Sequence, residues 1–310
     1  MQRALTRPAV VFPGQGTQTP GMAAPWRDHP AWAVVERAEK ALGEPLAHLV
    51  TDASADALTR TREAQLAVLL TSLVVWEAAH AGVHDPVAFA GHSLGQVTAL
   101  IASGALALED GVQFAARRAE LTQQAADRHP GRMAALLGAT PEQAADACGA
   151  APDACWVAND NAPGQVVVAG TADGVAAAGE RAKAIGIRRV TPLNVGGAFH
   201  TPLMQDASDA LVDTLRDVDL RTTAAPVVSN TDARAYTDGD GWRARLASHV
   251  SVPVRWRESQ ETLASLGATA LLEVGHGSML AALAKRTVPD LPVVGVATPD
   301  DLSPLVQEST

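Results

Sequence analysis

Residues 87–104 read VAFAGHSLGQVTALIASG, with Ser93 flanked by His92 and Leu94 and then by Gly91 and Gly95. The apolar run 87–90 predicts a buried strand and the small-residue stretch after Gly95 predicts a helix, so Ser93 falls in the bend between them. A strand that turns sharply into a helix strains its central residue and brings neighbouring backbone close. Two positions before and two after, such a bend leaves room for almost only glycine. It also lifts the Ser93 hydroxyl above the sheet edge and aims the Leu94 N–H at the place where a carbonyl oxygen would gain negative charge. G-x-S-x-G occurs in plain structural turns too; the strand-turn-helix context is what favours a nucleophile elbow.

Around the elbow, a strand is predicted at 9–12, helices at 29–42, 54–61 and 63–81 before it, and a helix at 109–126 after it. His129, Pro130 and Gly131 break the pattern. A new order follows: strand 133–137, helix 141–148, strands 156–159 and 166–169, helix 172–185 and strand 189–193. That is β-α-β-β-α-β, the ferredoxin-like order. The expected organisation is an α/β main domain over 1–130 and 197–310, with an inserted ferredoxin-like subdomain at 131–196. The main domain resumes through strands at 226–230, 270–274 and 293–296.

A chain of 310 residues with 47% hydrophobic content can bury one large core and a smaller one. Its net charge of -10 argues against nucleic acid or an anionic membrane as a general partner. Local basic clusters at Arg181, Lys183, Arg188 and Arg189, at Arg243, Arg245, Arg255 and Arg257, and at Lys285 and Arg286 could meet an acidic partner or simply be solvated helix faces. The two cysteines, Cys148 and Cys155, have neither metal-ligand nor redox spacing and suit core positions in a reducing compartment. The apolar run at 9–12 is too short for a signal peptide, and the longest run, 66–76, is interrupted by Thr71 and Ser72 and stops at Glu77. The expectation is a cytoplasmic protein with a buried central helix and no membrane span.

A serine hydroxyl needs a base within hydrogen-bond reach to become a nucleophile. His92 is adjacent to Ser93, and neighbouring side chains in such a bend diverge. His200, in VGGAFHTPLM (195–204), follows two glycines where backbone can turn a side chain back into a cleft. His200, His249 and His276 remain comparable at this point, and each could equally be a surface or capping histidine. The loop in AVVFPGQGTQTPGM (9–22) departs from a dinucleotide fingerprint at Thr19 and lacks a phosphate-cradling lysine. What remains is a tight turn that can bring Gln15 to a ligand. On helix 109–126, Arg118 shares the apolar stripe of Phe114, Leu121 and Ala125, whereas Arg117 lies with Gln113, Glu120 and Gln124. An inward arginine is a natural receptor for a carboxylate; an internal salt bridge or a snorkelling side chain would also place it there.

FPGQGTQTPGM, GHSLG, ARRAELTQ, GRMAAL, NDNAPGQVVVAG, GGAFHTPLM, VVSN, PVRW and LLEVGHGSML, in this order, resemble the malonyl-CoA:acyl carrier protein transacylase family, relatives of polyketide synthase acyltransferase domains. The resemblance runs from residue 12 to about 280. It implies a hydrolase-like α/β domain with a ferredoxin-like insertion, Ser93 as nucleophile and His200 as general base. It further implies that the backbone N–H groups of Gln15 and Leu94 form an oxyanion hole and that Arg118 holds the malonyl carboxylate. The base would be oriented by the main-chain carbonyl of His249, where glutamine is common. Phe199 resembles the malonyl-selecting form of its loop, since a bulky ring leaves little room for an α-substituent. Gln96 stands where glutamate is usual, and Ala119 and Thr122 where glycine and methionine are, so Gln96 and Thr122 are candidates to reshape the acyl pocket; His92 is placed beside it. No permanently bound cofactor and no metal are implied: coenzyme A enters as the thioester substrate, and the partner is a phosphopantetheinylated acyl carrier protein. The rivals are transfer of a substituted malonyl unit, transfer between carrier proteins, a proofreading thioesterase and a non-catalytic carrier-binding module.

Overall fold

The computed structural model describes residues 5–303, so the outermost ends of the predicted main-domain segments lie outside the described residues. Strands β1 (Leu5–Thr6), β2 (Ala9–Phe12), β3 (Val83–His84) and β4 (Ala88–Gly91) come first. Then come β5 (Arg132–Leu137), β6 (Cys155–Ala162), β7 (Gln165–Gly170) and β8 (Arg189–Pro192), followed by β9 (Val227–Val228), β10 (Ala235–Tyr236), β11 (Leu271–Val274) and β12 (Val293–Val296). The main sheet has the order β10-β9-β4-β2-β11-β12 and is parallel except for the β9–β10 edge; β1 and β3 pair separately.

Because successive side chains point to opposite faces, β2 splits cleanly. Val10 and Phe12 enter the large core with the helix Thr61–Ala79, whereas Ala9 and Val11 enter a second cluster with Trp256, Leu271 and Leu280. Burial on both faces is what a parallel sheet demands. It explains why these strands read as uninterrupted apolar runs. The helical segment Thr61–Gly82 is long and apolar enough to cross a membrane, yet most of it is buried inside this fold.

The four strands β5 to β8 fall between 131 and 196 and form an antiparallel sheet of order β6-β7-β5-β8. Helices Pro141–Cys148 and Ala172–Ala184 cover one face, where Ala134, Leu136, Val166 and Val168 meet Ala144, Ala147, Ala178 and Ala182. Cys148 and Cys155 are buried there as free thiols. The other face carries Met133, Ala135 and Val167 toward Ala198 and Phe199. This sheet is tied to the main body by backbone: Val254 N–H donates to Ala158 O and Asp160 N–H to Val254 O, each at 2.9 Å.

Several elements differ from the sequence expectation. The helix expected at 54–61 is only a 3-10 turn, Ala57–Thr59, because the Ser54 hydroxyl takes the Ala57 N–H and the Thr59 hydroxyl takes the Asp56 carbonyl. The helix expected from 29 begins with the turn Pro30–Trp32 and is α-helical over Ala33–Leu42. The strand expected at 226–230 is reduced to β9, and the strand expected at 156–159 runs on to Ala162. Backbone pairing keeps that polar stretch in the sheet: Asn159, Asp160 and Ala162 pair with Val167, Val166 and Gln165, and Asp160 N–H donates to Val254 O.

Candidate active site

Strand β4 ends at Gly91, the helix Gly95–Ala102 begins four residues later, and Ser93 between them has φ +51°. A left-handed backbone costs a non-glycine residue on the order of 1–3 kcal/mol, so the surroundings must impose it. They do. A Cβ on Gly91 would lie 1.9 Å from the carbonyl of Gly95, and one on Gly95 would lie 2.2 Å from Phe12 O. The chain can double back above β2 only because both residues lack side chains.

His200 Nε2 lies 2.8 Å from Ser93 Oγ. Its Nδ1 lies 2.9 Å from His249 O and 3.2 Å from Val252 O. Carbonyl oxygens only accept, so Nδ1 carries the hydrogen and Nε2 presents its lone pair to the serine hydroxyl. Burial, followed by the positive charge of Arg118, pushes the His200 pKa down to about 3, so the ring is neutral near pH 7. The preceding glycines do not make the turn that points this ring inward. Gly196 and Gly197 have no positive φ; His200 itself does, at +63°, with its N–H held by Val250 O at 2.9 Å.

Arg118, on the helix Leu108–Arg128, is 4% exposed. Nη1 donates to Gln65 Oε1 at 2.6 Å, Nη2 approaches Ser93 Oγ at 3.3 Å, and Nε has no partner. Burial lowers its pKa to about 10, which leaves it charged at neutral pH. A buried cation facing only neutral groups is costly until an anion joins it. Thr122, one turn on, donates its hydroxyl to the carbonyls of Arg118 and Ala119.

Ser93, His200, Arg118 and Gln65 line a cavity of about 480 Å³, with Gln15, His92 and Phe199 also at its surface and Met133, Ala135 and Val167 contributed by the small sheet. Leu94 is buried at the start of the elbow helix. His92 points away from the serine hydroxyl: its Nε2 lies 2.8 Å from Asn161 Oδ1 and its ring meets Trp256 edge-on. Burial lowers its pKa. The expectation that Gln96 and Thr122 shape the pocket directly is corrected, since neither lines the cavity. Gln96 spans Val228 O at 3.2 Å and Asn230 N at 2.9 Å instead. His276 is likewise remote from the serine and bonds Thr19 Oγ at 2.8 Å.

Three residues that sequence reasoning did not single out stand next to these groups: Gln65 on Arg118, Asn161 on His92 and Asn230 on Ser93 N at 2.8 Å. Gln65 had a visible signal, as a lone amide at the start of an apolar helix run. Asn230 had only its place in VVSN. Among the described residues, no group of three or more His, Cys, Asp or Glu side chains is placed to hold a metal ion.

The acyl transferase domain family model matches residues 9–303. The malonyl CoA-acyl carrier protein transacylase of Bacillus subtilis (strain 168) is 35% identical over 308 residues, covering 98% of this chain and 97% of that protein. An acyl-carrier-protein S-malonyltransferase crystal structure from Burkholderia pseudomallei superposes with a TM-score of 0.92 at 36% identity, covering 96% of this chain and 98% of that one. A malonyl-transacylase solved in complex with its type II PKS acyl-carrier protein has a TM-score of 0.92 at 33% identity, with 96% and 98% coverage.

Proposed function

Since the chain belongs to the acyl transferase domain family, we propose that it moves a malonyl group from malonyl-CoA to the phosphopantetheine thiol of an acyl carrier protein through an ester on Ser93. Such a transfer supplies extender units to fatty-acid or polyketide synthesis. The observation that carries the reading is a single hydroxyl, Ser93 Oγ, placed 2.8 Å from a neutral imidazole and 3.3 Å from a buried guanidinium.

His200 Nε2 takes the Ser93 proton as Oγ attacks the thioester carbonyl; the carbon–sulfur bond then breaks and coenzyme A leaves with that proton. The carrier thiol next gives its proton to His200 and attacks the ester, and Ser93 Oγ recovers the proton as the carbon–oxygen bond breaks. The roles assigned to Gln15 and Leu94 are to donate backbone N–H groups to the oxyanion at each stage. The carbonyl of His249 keeps His200 in the reactive tautomer. Arg118 holds the distal carboxylate, and Phe199 narrows the space at the α-carbon. This scheme uses side chains, main-chain groups and the thioester substrate and needs no resident cofactor. We place the reaction in the cytoplasm, a reading supported by the free, adjacent thiols of Cys148 and Cys155.

Gln96 and Thr122, the candidates for a different acyl group, bond backbone instead of lining the cavity, which favours malonyl. Retention of Arg118 favours transfer of a carboxylated group over plain hydrolysis of acyl thioesters. The test is intact-protein mass spectrometry after addition of malonyl-CoA: a malonyl adduct on Ser93, discharged by carrier protein, is expected. Turnover with Ser93 never modified would sink the mechanism. Arg118→Ala should reduce the preference for malonyl-CoA over acetyl-CoA by about tenfold to a hundredfold, the worth of a charge-assisted bidentate contact.

A further inference from the structure

One residue reaches both halves of the reacting pair. His249 is 1% exposed; its carbonyl takes the Nδ1 hydrogen of His200, while its imidazole Nε2 lies 3.1 Å from Asn230 Oδ1. That same oxygen accepts the Ser93 N–H at 2.8 Å, and Asn230 Nδ2 donates to Gly91 O at 2.8 Å. The Asn230 side chain thus grips the elbow at two points, Gly91 and Ser93 itself. Its own backbone N–H is held by Gln96 Oε1 at 2.9 Å, and the residue is fully buried.

Donor and acceptor chemistry fixes every group in this chain of contacts. A backbone N–H can only donate, so the Asn230 atom facing Ser93 is oxygen, and the His249 nitrogen facing that oxygen carries a hydrogen. His249 Nδ1 is then a bare lone pair, and it has no partner. A carboxamide oxygen flanked by two N–H donors, on a ring whose other nitrogen meets nothing, offers no route for a proton. The network can transmit position only.

We propose that Asn230 and the His249 imidazole are positioning residues that hold the Ser93 elbow in register with His200. Residue 249 anchors the base through its carbonyl and the nucleophile through its side chain and Asn230. This inference rests on the acyl-serine mechanism above. Ser93 at φ +51° sits in a sparsely populated conformation, and its N–H is met by a side chain 137 residues away. Loosening that contact lets the elbow relax and carries Oγ off the line to Nε2.

The test compares His249→Leu, which keeps the carbonyl and the bulk but loses the N–H, with His249→Gln, which restores a donor. A third variant, Asn230→Asp, removes the N–H to Gly91 while keeping the acceptor. Rates of Ser93 acylation by malonyl-CoA, kcat, KM and thermal midpoints are measured for each. His249→Leu should lower kcat and the acylation rate by about tenfold or more with KM within about twofold, since small displacements of a reacting group have effects of that size. His249→Gln should restore kcat to within about threefold of the parent. Wild-type kcat in His249→Leu, or equal loss in Leu and Gln variants, overturns the inference. If His249→Leu does not fold, Asn230→Asp decides: reduced kcat at unchanged KM supports the positioning role, and parental kcat rejects it. The parent protein is the separate control, because failure of its own Ser93 to acylate would overturn the functional reading instead.

Discussion

Ser93 and His200 share a left-handed backbone, at φ +51° and +63°, but the two turns are held by opposite means. The serine turn is made possible within its own five residues, because Gly91 and Gly95 let two segments approach where any Cβ would collide, and a single remote side chain, Asn230, then holds it. The histidine turn is enforced from a distance, by Val250 O on its N–H and by His249 O and Val252 O on its ring. A local constraint leaves its mark in adjacent letters. A remote one is written about fifty residues away, with nothing to mark its partner.

This contrast can be broken most directly at the two side chains. Ser93→Ala should abolish the acyl adduct and lower transfer by at least about a thousandfold, whereas His200→Ala should lower it by about 10²–10⁴-fold, both read in steady-state transfer to carrier protein. An acyl adduct that still forms in Ser93→Ala would erase the distinction between nucleophile and base. Next in size is the backbone: Gly95→Ala, whose new methyl would lie 2.2 Å from Phe12 O, should cost roughly 3 kcal/mol or more in denaturant unfolding.

A smaller effect separates the sites by pH. Burial holds His200 down to about 3, lowers His249 well below its ordinary value and lowers His92 as well, so all three are neutral when folded at pH 7. In the unfolded chain they take up protons near their ordinary pKa of about 6.5. The stability of the neutral folded form is therefore fully present above that value and is lost progressively as pH falls from there toward the folded values. Thermal midpoints should drop between pH 7.5 and 5, and kcat/KM should show no acid limb near 6.5. The smallest effect is expected at Gly196, where an added Cβ meets nothing within 4 Å. Gly196→Ala should change unfolding free energy by about 0.5 kcal/mol or less, confirming that this glycine does not make the base turn.

The same distinction explains what the sequence reveals. The elbow, the doubly buried strands and the β-α-β-β-α-β insertion are legible because period, glycine spacing and apolar runs act between near neighbours. The inward face of Arg118 is legible from helical spacing for the same reason. Resemblance, rather than residue chemistry, separates His200 from His249 and His276, since the contacts that orient each ring come from distant loops. Asn230 stays hidden because it reads as the last residue of the strand expected at 226–230, and nothing in VVSN shows where its side chain points. Gln96 and Thr122 mislead because proximity along a helix says nothing of which way a polar side chain finds its partner; both satisfy nearby backbone instead.

The guanidinium of Arg118 has one further consequence. With only an amide oxygen and a hydroxyl as company, the resting chamber carries a standing excess of positive charge, and an occupant that brings its own countercharge removes it. On the mechanism proposed above, a malonyl group on Ser93 supplies that countercharge, so loading relieves an electrostatic cost that the empty chamber bears.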